Sequence, residues 1–212
     1  MLDIDKHRVE SLADGIYAVA LTLLVLDLKL PDIPGTAPDA VLARHLAELL
    51  PRLLAWLASF VLLSVFWLAL HRLLSRVVRL DGRMLFLCFA HILLVALSPF
   101  VIATYGANVL RLLAQVAYNG MLCAFAGVFL LMVGHMRRSP ELMKQPLAAP
   151  EAIGLRTRFG ALFVCAILVT AIGSIDIRWF GVGYAPMFLA GVLARRLQRR
   201  ATANEKPPPL SA

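Results

Sequence analysis

The residues of this sequence that could do chemistry lie inside long apolar runs. Asp14 interrupts an apolar segment near the N-terminus, while Trp67 and His71, four residues apart, share one helical face at the end of a second segment. A charged side chain at the centre of a bilayer costs about 2.5–3.5 kcal/mol on insertion scales, so its placement is informative. Because Asp14 and His71 should lie at similar depth, we predict that they are partners. The pair is either a structural clamp between helices or a proton-coupling site.

Other reactive side chains form no pattern. His91 is isolated in a third apolar segment and is interpreted as a packing residue. Cys88, Cys123 and Cys165 lie far apart in apolar stretches, which is typical of small buried side chains rather than of disulfides or a metal site. An enzyme would need a nucleophile, a base or metal ligands that converge at one depth. We therefore predict no catalysis, no cofactor and no bound metal.

The composition indicates a membrane protein. Of 212 residues, 60% are hydrophobic and 16% are charged, with a mean hydropathy of +0.79, whereas soluble domains average roughly 45–50% apolar and about 25% charged. A net charge of +8 would suggest nucleic acid in a soluble protein. Here the basic residues stand at the ends of apolar runs, and the sequence contains no nucleic-acid-binding motif. The predicted partner is the lipid bilayer.

The elements that must position these residues are transmembrane helices, each of which needs about 20 mainly apolar residues. Six segments meet this requirement: residues 8–29, 52–75, 82–104, 107–135, 156–174 and 178–196. The predicted fold is all-α, with a six-helix transmembrane domain over residues 1–200 and a disordered cytoplasmic tail over residues 201–212. Apolar spacings in the loop between the first two segments predict a short outer amphipathic helix capped by Asp39.

The charge of the loops predicts the orientation of the chain. Basic residues cluster after the second, fourth and sixth segments: Arg72, Arg76, Arg79, Arg83; Arg137, Arg138, Lys144, Arg156, Arg158; Arg195, Arg196, Arg199, Arg200, Lys206. The alternate loops hold few basic residues. Because positive loops stay cytoplasmic, both termini are predicted on the cytoplasmic side of the cell membrane.

The first segment carries an apolar stripe. It consists of residues that recur at helical spacing and share one face: Leu12, Ile16, Val19, Leu23 and Leu26. At about 100° per residue, Asp14 lies roughly 140° around the helix from Val19. The carboxylate should therefore face away from the stripe, toward neighbouring helices. Such an aliphatic line is ordinarily a packing or lipid-contact face.

Several of these residues occur together in a known family. Arg8, a three-residue gap and Leu12-Ala13-Asp14 resemble a first-helix signature of a basic residue, a gap of three and Phe-Ser-Asp. Trp67 and His71 resemble the Trp-His pair of its second helix, and Ser98-Pro99-Phe100 resembles the Pro-Phe step of its third. Over about the first hundred and thirty residues, the sequence thus resembles the bacterial transmembrane protein 175 family.

The resemblance implies a homotetrameric cation channel selective for K⁺, with six helices per chain and with other monovalent cations as further candidate ions. Four copies of the first helix would line the central pore, with a constriction formed by Val19, Leu23 and Leu26 and with Thr22 contributing to selectivity. Asp27 would lie at the outer mouth, where it either concentrates cations or marks the water interface. The implied structural network contains Arg8, Asp14, Trp67 and His71.

Two other functions remain open. A proton-coupled secondary transporter would use Asp14 and His71 to carry protons, although such transporters tend to have repeats and broken helices, which this sequence does not display. The other is a non-conducting scaffold subunit.

Overall fold

The structure is a computed structural model that describes residues 5–145, 149–175 and 196. These ranges form the helices α1 (Lys6–Leu23), α2 (Asp39–Leu74), α3 (Gly82–Ala107), α4 (Leu112–Arg138) and α5 (Ala149–Ile175). Each of the five contains a segment long and apolar enough to cross a membrane. The first five predicted spans are confirmed as helices of this kind. The sixth predicted span, 178–196, lies outside the described residues except for Arg196, and the predicted tail, 201–212, lies outside them entirely.

Aspartate side chains begin two of the helices. Asp5 precedes α1 and accepts a hydrogen bond from the backbone N–H of His7 at 3.0 Å. Asp81 precedes α3 and accepts one from the backbone N–H of Met84 at 2.8 Å. Each carboxylate satisfies a backbone donor that the first turn of a helix leaves unpaired.

Helix α2 differs from the prediction. The separate outer helix is absent from this part of the chain, because residues 39–74 form one helix of 36 residues. Pro38 is the N-cap, and Asp39 lies in the first turn instead of capping it. A carboxylate in the first turn is still favourable, since it faces the positive end of the helix dipole. The range contains no glycine, and the proline at position 51 does not end the helix.

Helix α1 is shorter than the predicted span of residues 8–29. It ends at Leu23, and Leu24–Asp27 continue as a 3-10 turn. Because a 3-10 turn has about three residues per turn, Leu26 does not follow the α-helical wheel that places Val19 and Leu23.

Aromatic rings join α2, α4 and α5 in the core. The ring of Phe66 on α2 stacks on that of Phe125 on α4, with centroids 4.5 Å apart. The ring of Phe129, one turn further along α4, stacks on that of Phe159 on α5 at 4.3 Å. All four side chains are buried. Offset stacked pairs add about 0.5–1.5 kcal/mol each beyond the apolar area they bury, so this column fixes α4 between its neighbours.

The loops after α2 and α4 are bonded to each other. The backbone N–H of Val78 donates to the carbonyl of Leu142 at 2.7 Å, and that of Lys144 donates to the carbonyl of Arg76 at 2.8 Å. The guanidinium of Arg76 also pairs with Glu151 on α5 at 2.7 Å. The end of the bundle that holds these loops is the one predicted to face the cytoplasm, and we call it the inner end.

Candidate functional site

The predicted constriction residues are exposed, Val19 and Leu23 on α1 and Leu26 on the 3-10 turn that follows it. Val19 is 57% exposed, Leu23 is 43% exposed and Leu26 is 62% exposed within the single chain. We call these three residues, which are part of the five-residue apolar face predicted above, the α1 stripe. The opposite side of the helix packs into the chain through its buried residues: Val9, Ala13, Tyr17 and Ala20. The stripe is therefore apolar surface that the described part of this chain leaves uncovered.

A hydroxyl group lies beside the stripe. The side chain of Thr22 is exposed, and its Oγ1 donates to the carbonyl of Val19 at 2.8 Å or of Ala18 at 3.0 Å. Since the proton is committed to the helix backbone, the oxygen lone pairs stay free to accept from or coordinate a group outside the helix. Asp27 ends the 3-10 turn that follows.

Asp14 is bonded to the indole of Trp67 instead of to His71. The Nε1–H of Trp67 donates to Oδ1 of Asp14 at 2.7 Å, which joins α1 to α2. His71 stacks on the other residue of the pair, with its ring centroid 5.8 Å from that of Trp67. The predicted Asp14–His71 contact is absent from the described structure. The carboxylate does face a neighbouring helix, as expected from its angle to Val19.

Arg8 lies apart from this contact. Its side chain is exposed and forms no ion pair with the described residues. The basic residue that is paired in this turn is Lys6, whose Nζ lies 3.3 Å from the carboxylate of Glu10. The part of Arg8 in the implied network stays a prediction for the assembled protein.

A second contact fixes α1 from its buried side. The hydroxyl of Tyr17 lies 2.6 Å from Nε2 of His91 on α3, and both side chains are almost fully buried. The imidazole is held edge-on by Phe125 and Phe129 at 5.2 and 4.9 Å. The interpretation of His91 as a packing residue agrees with this position. Tyr17 was overlooked in the sequence because it reads as one more apolar residue of the segment.

These contacts hold a helix in place and do not form a reaction centre. Asp14 contacts an indole that can only donate, and His91 contacts a tyrosine inside an aromatic cage. Among the described residues, no three His, Cys, Asp or Glu side chains are grouped closely enough to hold a metal ion. The arrangement presents an apolar face of α1 with one hydroxyl group. Two hydrogen bonds, one to α2 and one to α3, hold the other side of the same helix.

Five helices long enough to span a bilayer, with an uncovered apolar face on the first, define a multi-pass membrane protein. The sequence profile described as "Endosomal/lysosomal potassium channel TMEM175" matches residues 8–99. The chain is 30% identical to a potassium channel from Streptomyces collinus, over 86% of this chain and 95% of that one. It is 32% identical to a potassium channel from Chamaesiphon minutus, over 84% of this chain and 89% of that one.

The chain belongs to the TMEM175 family. The similarity extends to the human endosomal/lysosomal proton channel TMEM175, at 36% identity over 35% of this chain and 16% of that protein. That match is partial, whereas the channels from Streptomyces collinus and Chamaesiphon minutus are covered over 95% and 89% of their lengths.

Proposed function

We propose that this protein is a potassium-permeable channel in which α1 from four copies of the chain lines a central pore. The observation that carries the proposal is the exposure of the α1 stripe while the opposite side of the same helix is buried. In a pore of this design the stripe faces the axis, and the buried side rests on α2 and α3 of its own chain. The bacterial relatives of similar length, both called potassium channels, support the same conclusion.

Exposed aliphatic residues in a transmembrane helix ordinarily face lipid, so further features must distinguish a pore-lining stripe from a lipid-facing one. Two features favour the pore. Thr22 places a cation-compatible oxygen beside the stripe, where a lipid-facing surface needs none. Asp14 and Trp67 lie at the surface of the single chain yet bond two helices together, which suits a contact region between subunits.

The constriction would act through its apolar walls. A narrow ring of Val19, Leu23 and Leu26 side chains cannot replace the water around an ion, so conduction depends on how wide the ring is. Thr22 would supply oxygen ligands beside the ring, and Asp27 would raise the local cation concentration at the outer mouth. Because Val19 is smaller than the aliphatic residue that the family resemblance implies at this level, we expect a wider constriction and weaker selectivity for K⁺ over Na⁺.

The transporter alternative is weaker. It requires protons to pass between Asp14 and His71, but the carboxylate of Asp14 accepts a hydrogen bond from the indole of Trp67 instead. An indole N–H donates but does not accept, so it cannot relay a proton between the two groups. We assign Asp14, Trp67 and His71 to holding α1 against α2, and we propose a cell-membrane location with both termini in the cytoplasm.

The test is K⁺ flux into liposomes that contain the purified protein, with a proton ionophore to relieve charge build-up. We expect flux driven by the K⁺ gradient alone, unaffected by a pH gradient and smaller when Na⁺ replaces K⁺. Flux that requires a pH gradient would overturn the channel in favour of a carrier. An absence of flux from a well-folded, fully inserted protein would favour the scaffold subunit.

A further inference from the structure

A basic cavity lies at the inner end of the bundle, away from α1. It is bounded by the start of α3, the end of α4 and the start of α5, and its volume is about 1050 Å³. Four arginines contribute to its lining, and no acidic residue does: Arg83, Arg137, Arg138 and Arg156. All four side chains are exposed. They come from three different helices, so the bundle itself brings these charges together.

These arginines lie apart from the ion pairs of the fold, although the charge of Arg83 acts on the nearby carboxylate of Asp81. Within the described residues none of them forms an ion pair, whereas Arg76 at the same end is bonded to Glu151. The nearby carboxylate of Asp81 is already engaged, since it accepts from the N–H of Met84 and lies 2.8 Å from Nε2 of His135. Four guanidinium groups and one nearby carboxylate, that of Asp81, leave the cavity with a net positive charge.

One wall of the cavity is apolar. Phe86 on α3 is 71% exposed and Leu131 on α4 is 61% exposed, and both line the same cavity as the arginines. Arginines at helix ends are common, and they ordinarily extend singly toward the interface. Here charge and apolar surface meet in one concave site. A soluble anion would gain nothing from contact with the apolar wall. A neutral lipid would gain nothing from the charge of four guanidinium groups.

We propose that this cavity binds an anionic phospholipid, with its phosphate held by the arginines and an acyl chain lying along Phe86 and Leu131. Guanidinium groups suit this role because they bind phosphate oxygens in a bidentate manner and lose little hydration energy. Basic pockets between transmembrane helices on the cytoplasmic side are a recognised setting for such headgroups. Bound lipid would bridge α3, α4 and α5 at the inner end.

The test uses the full-length protein and native mass spectrometry, with phosphatidylglycerol and phosphatidylcholine of identical acyl chains as probes. Wild type should retain phosphatidylglycerol preferentially. Combining Arg137→Gln with Arg156→Gln should weaken its binding about thirtyfold, from the loss of two charges near the headgroup. The matched control combines Arg79→Gln with Arg158→Gln, two exposed arginines outside the cavity, and should change binding by about threefold or less. Equal losses in the two double variants would overturn the proposal in favour of diffuse surface charge.

A second variant tests the cavity with every charge in place. Gly134 lines it, and a Cβ added there would meet nothing within 4 Å. Gly134→Leu would extend from that position into the cavity, and its thermal unfolding midpoint would check that the variant folds. We expect weaker retention of phosphatidylglycerol, and unchanged retention would show that the cavity is not the site. Glycerol phosphate, which has no acyl chains, should compete poorly. If it competes as well as the lipid does, the cavity binds a soluble organophosphate instead.

Discussion

The Tyr17 hydroxyl and Nε2 of His91, 2.6 Å apart, form a buried hydrogen bond between α1 and α3. At about 100° per residue, Tyr17 projects roughly 160° around α1 from Val19, the first residue of the α1 stripe. The bond thus holds the helix from directly behind its exposed face. Rotation of α1 about its axis would move the stripe only if this bond broke or His91 moved with it.

Removing the Tyr17 hydroxyl should destabilise the protein. Tyr17→Phe keeps the ring but leaves Nε2 of His91 buried without a partner, and Nδ1 of the same ring already has none in the described structure. A buried polar atom left unpaired costs about 1–3 kcal/mol. Thermal unfolding in detergent should show a lower midpoint. The control is Tyr105→Phe, whose ring stacks on Tyr118 and whose hydroxyl forms no hydrogen bond with the described residues. A similar loss in both variants would contradict the argument.

Shortening a stripe residue should increase conduction. Leu23→Ala removes most of a side chain at the proposed constriction, so the narrow point widens and excludes hydrated ions less strongly. We expect faster K⁺ flux into liposomes at equal protein density. Leu97→Ala on α3 is the control, because Leu97 is exposed to a similar degree, 47% against 43%. Unchanged flux for Leu23→Ala, or an equal rise for Leu97→Ala, would indicate that Leu23 does not line the constriction.

Breaking the Asp14–Trp67 bond should impair assembly more than selectivity. Trp67→Phe removes the only donor to this carboxylate among the described residues, and a hydrogen bond to a charged group contributes about 1.5–3 kcal/mol. The tetramer fraction in light scattering should fall. Trp56→Phe should be neutral or slightly stabilising, because the indole nitrogen of Trp56 is buried without a partner.

Asp14→Asn removes the charge at the contact with Trp67 and keeps the hydrogen bond, so it tests the two contributions separately. It keeps an acceptor oxygen for the indole, so its tetramer fraction should lie between those of wild type and Asp14→Leu. A fully assembled Asp14→Asn tetramer with altered K⁺ over Na⁺ selectivity would refute the structural role. The measurement is light scattering followed by flux on the tetramer fraction alone.

The stability of the inner end should depend on pH through Asp81. Burial raises the pKa of this carboxyl, but hydrogen bonds from Met84 and His135 and the charges of His135 and Arg83 outweigh burial and leave the pKa below its usual value. A lowered folded-state pKa stabilises the protein above the unfolded value, near 3.9, and this stabilisation disappears as the pH falls through the folded value. The melting temperature of wild type relative to Asp81→Asn should therefore fall between about pH 5 and pH 3. Glu141→Gln, an exposed change at the same end, should leave the pH profile of wild type unchanged.

Cysteine cross-linking would test which surface the stripe faces. Val19→Cys and Leu26→Cys should form disulfides between subunits under mild oxidation, since the pore brings four copies of α1 around one axis. Leu93→Cys on α3, an exposed position with 68% of its side chain accessible, should not. Monomers at all three positions would indicate that the stripe faces lipid. The native Cys88 and Cys165 are buried, and Cys123→Ser would remove the more accessible third cysteine.

Five of the six predicted spans, and the apolar face that carries Val19 and Leu23, could be predicted from the sequence because hydropathy and helical spacing depend on residues close together in the chain. The partner of Asp14 could not. Trp67 and His71 are four residues apart on one face, and which of them reaches the carboxylate depends on the rotation and depth of α2 relative to α1. The bond between Tyr17 and His91 spans 74 positions and had no local signal. The continuity of the outer amphipathic segment with α2 could not be predicted for a different reason. The residues between the two have a composition that fits a loop as well as a helix.

The bonded loops at the inner end have a mechanical consequence for α2. They anchor its last turn to α4 and α5 through Arg76, Val78 and Glu151, while the side chains of its first half are mostly exposed. A continuous helix of 36 residues is about 54 Å long, so a small tilt at the inner end produces a large displacement at the outer end. A tilt of about 5° there would sweep the far end through about 5 Å. Trp67 lies only about two turns from the anchored end and would barely move. The outer half of α2 could therefore change position while the hydrogen bond between Trp67 and Asp14 stays intact.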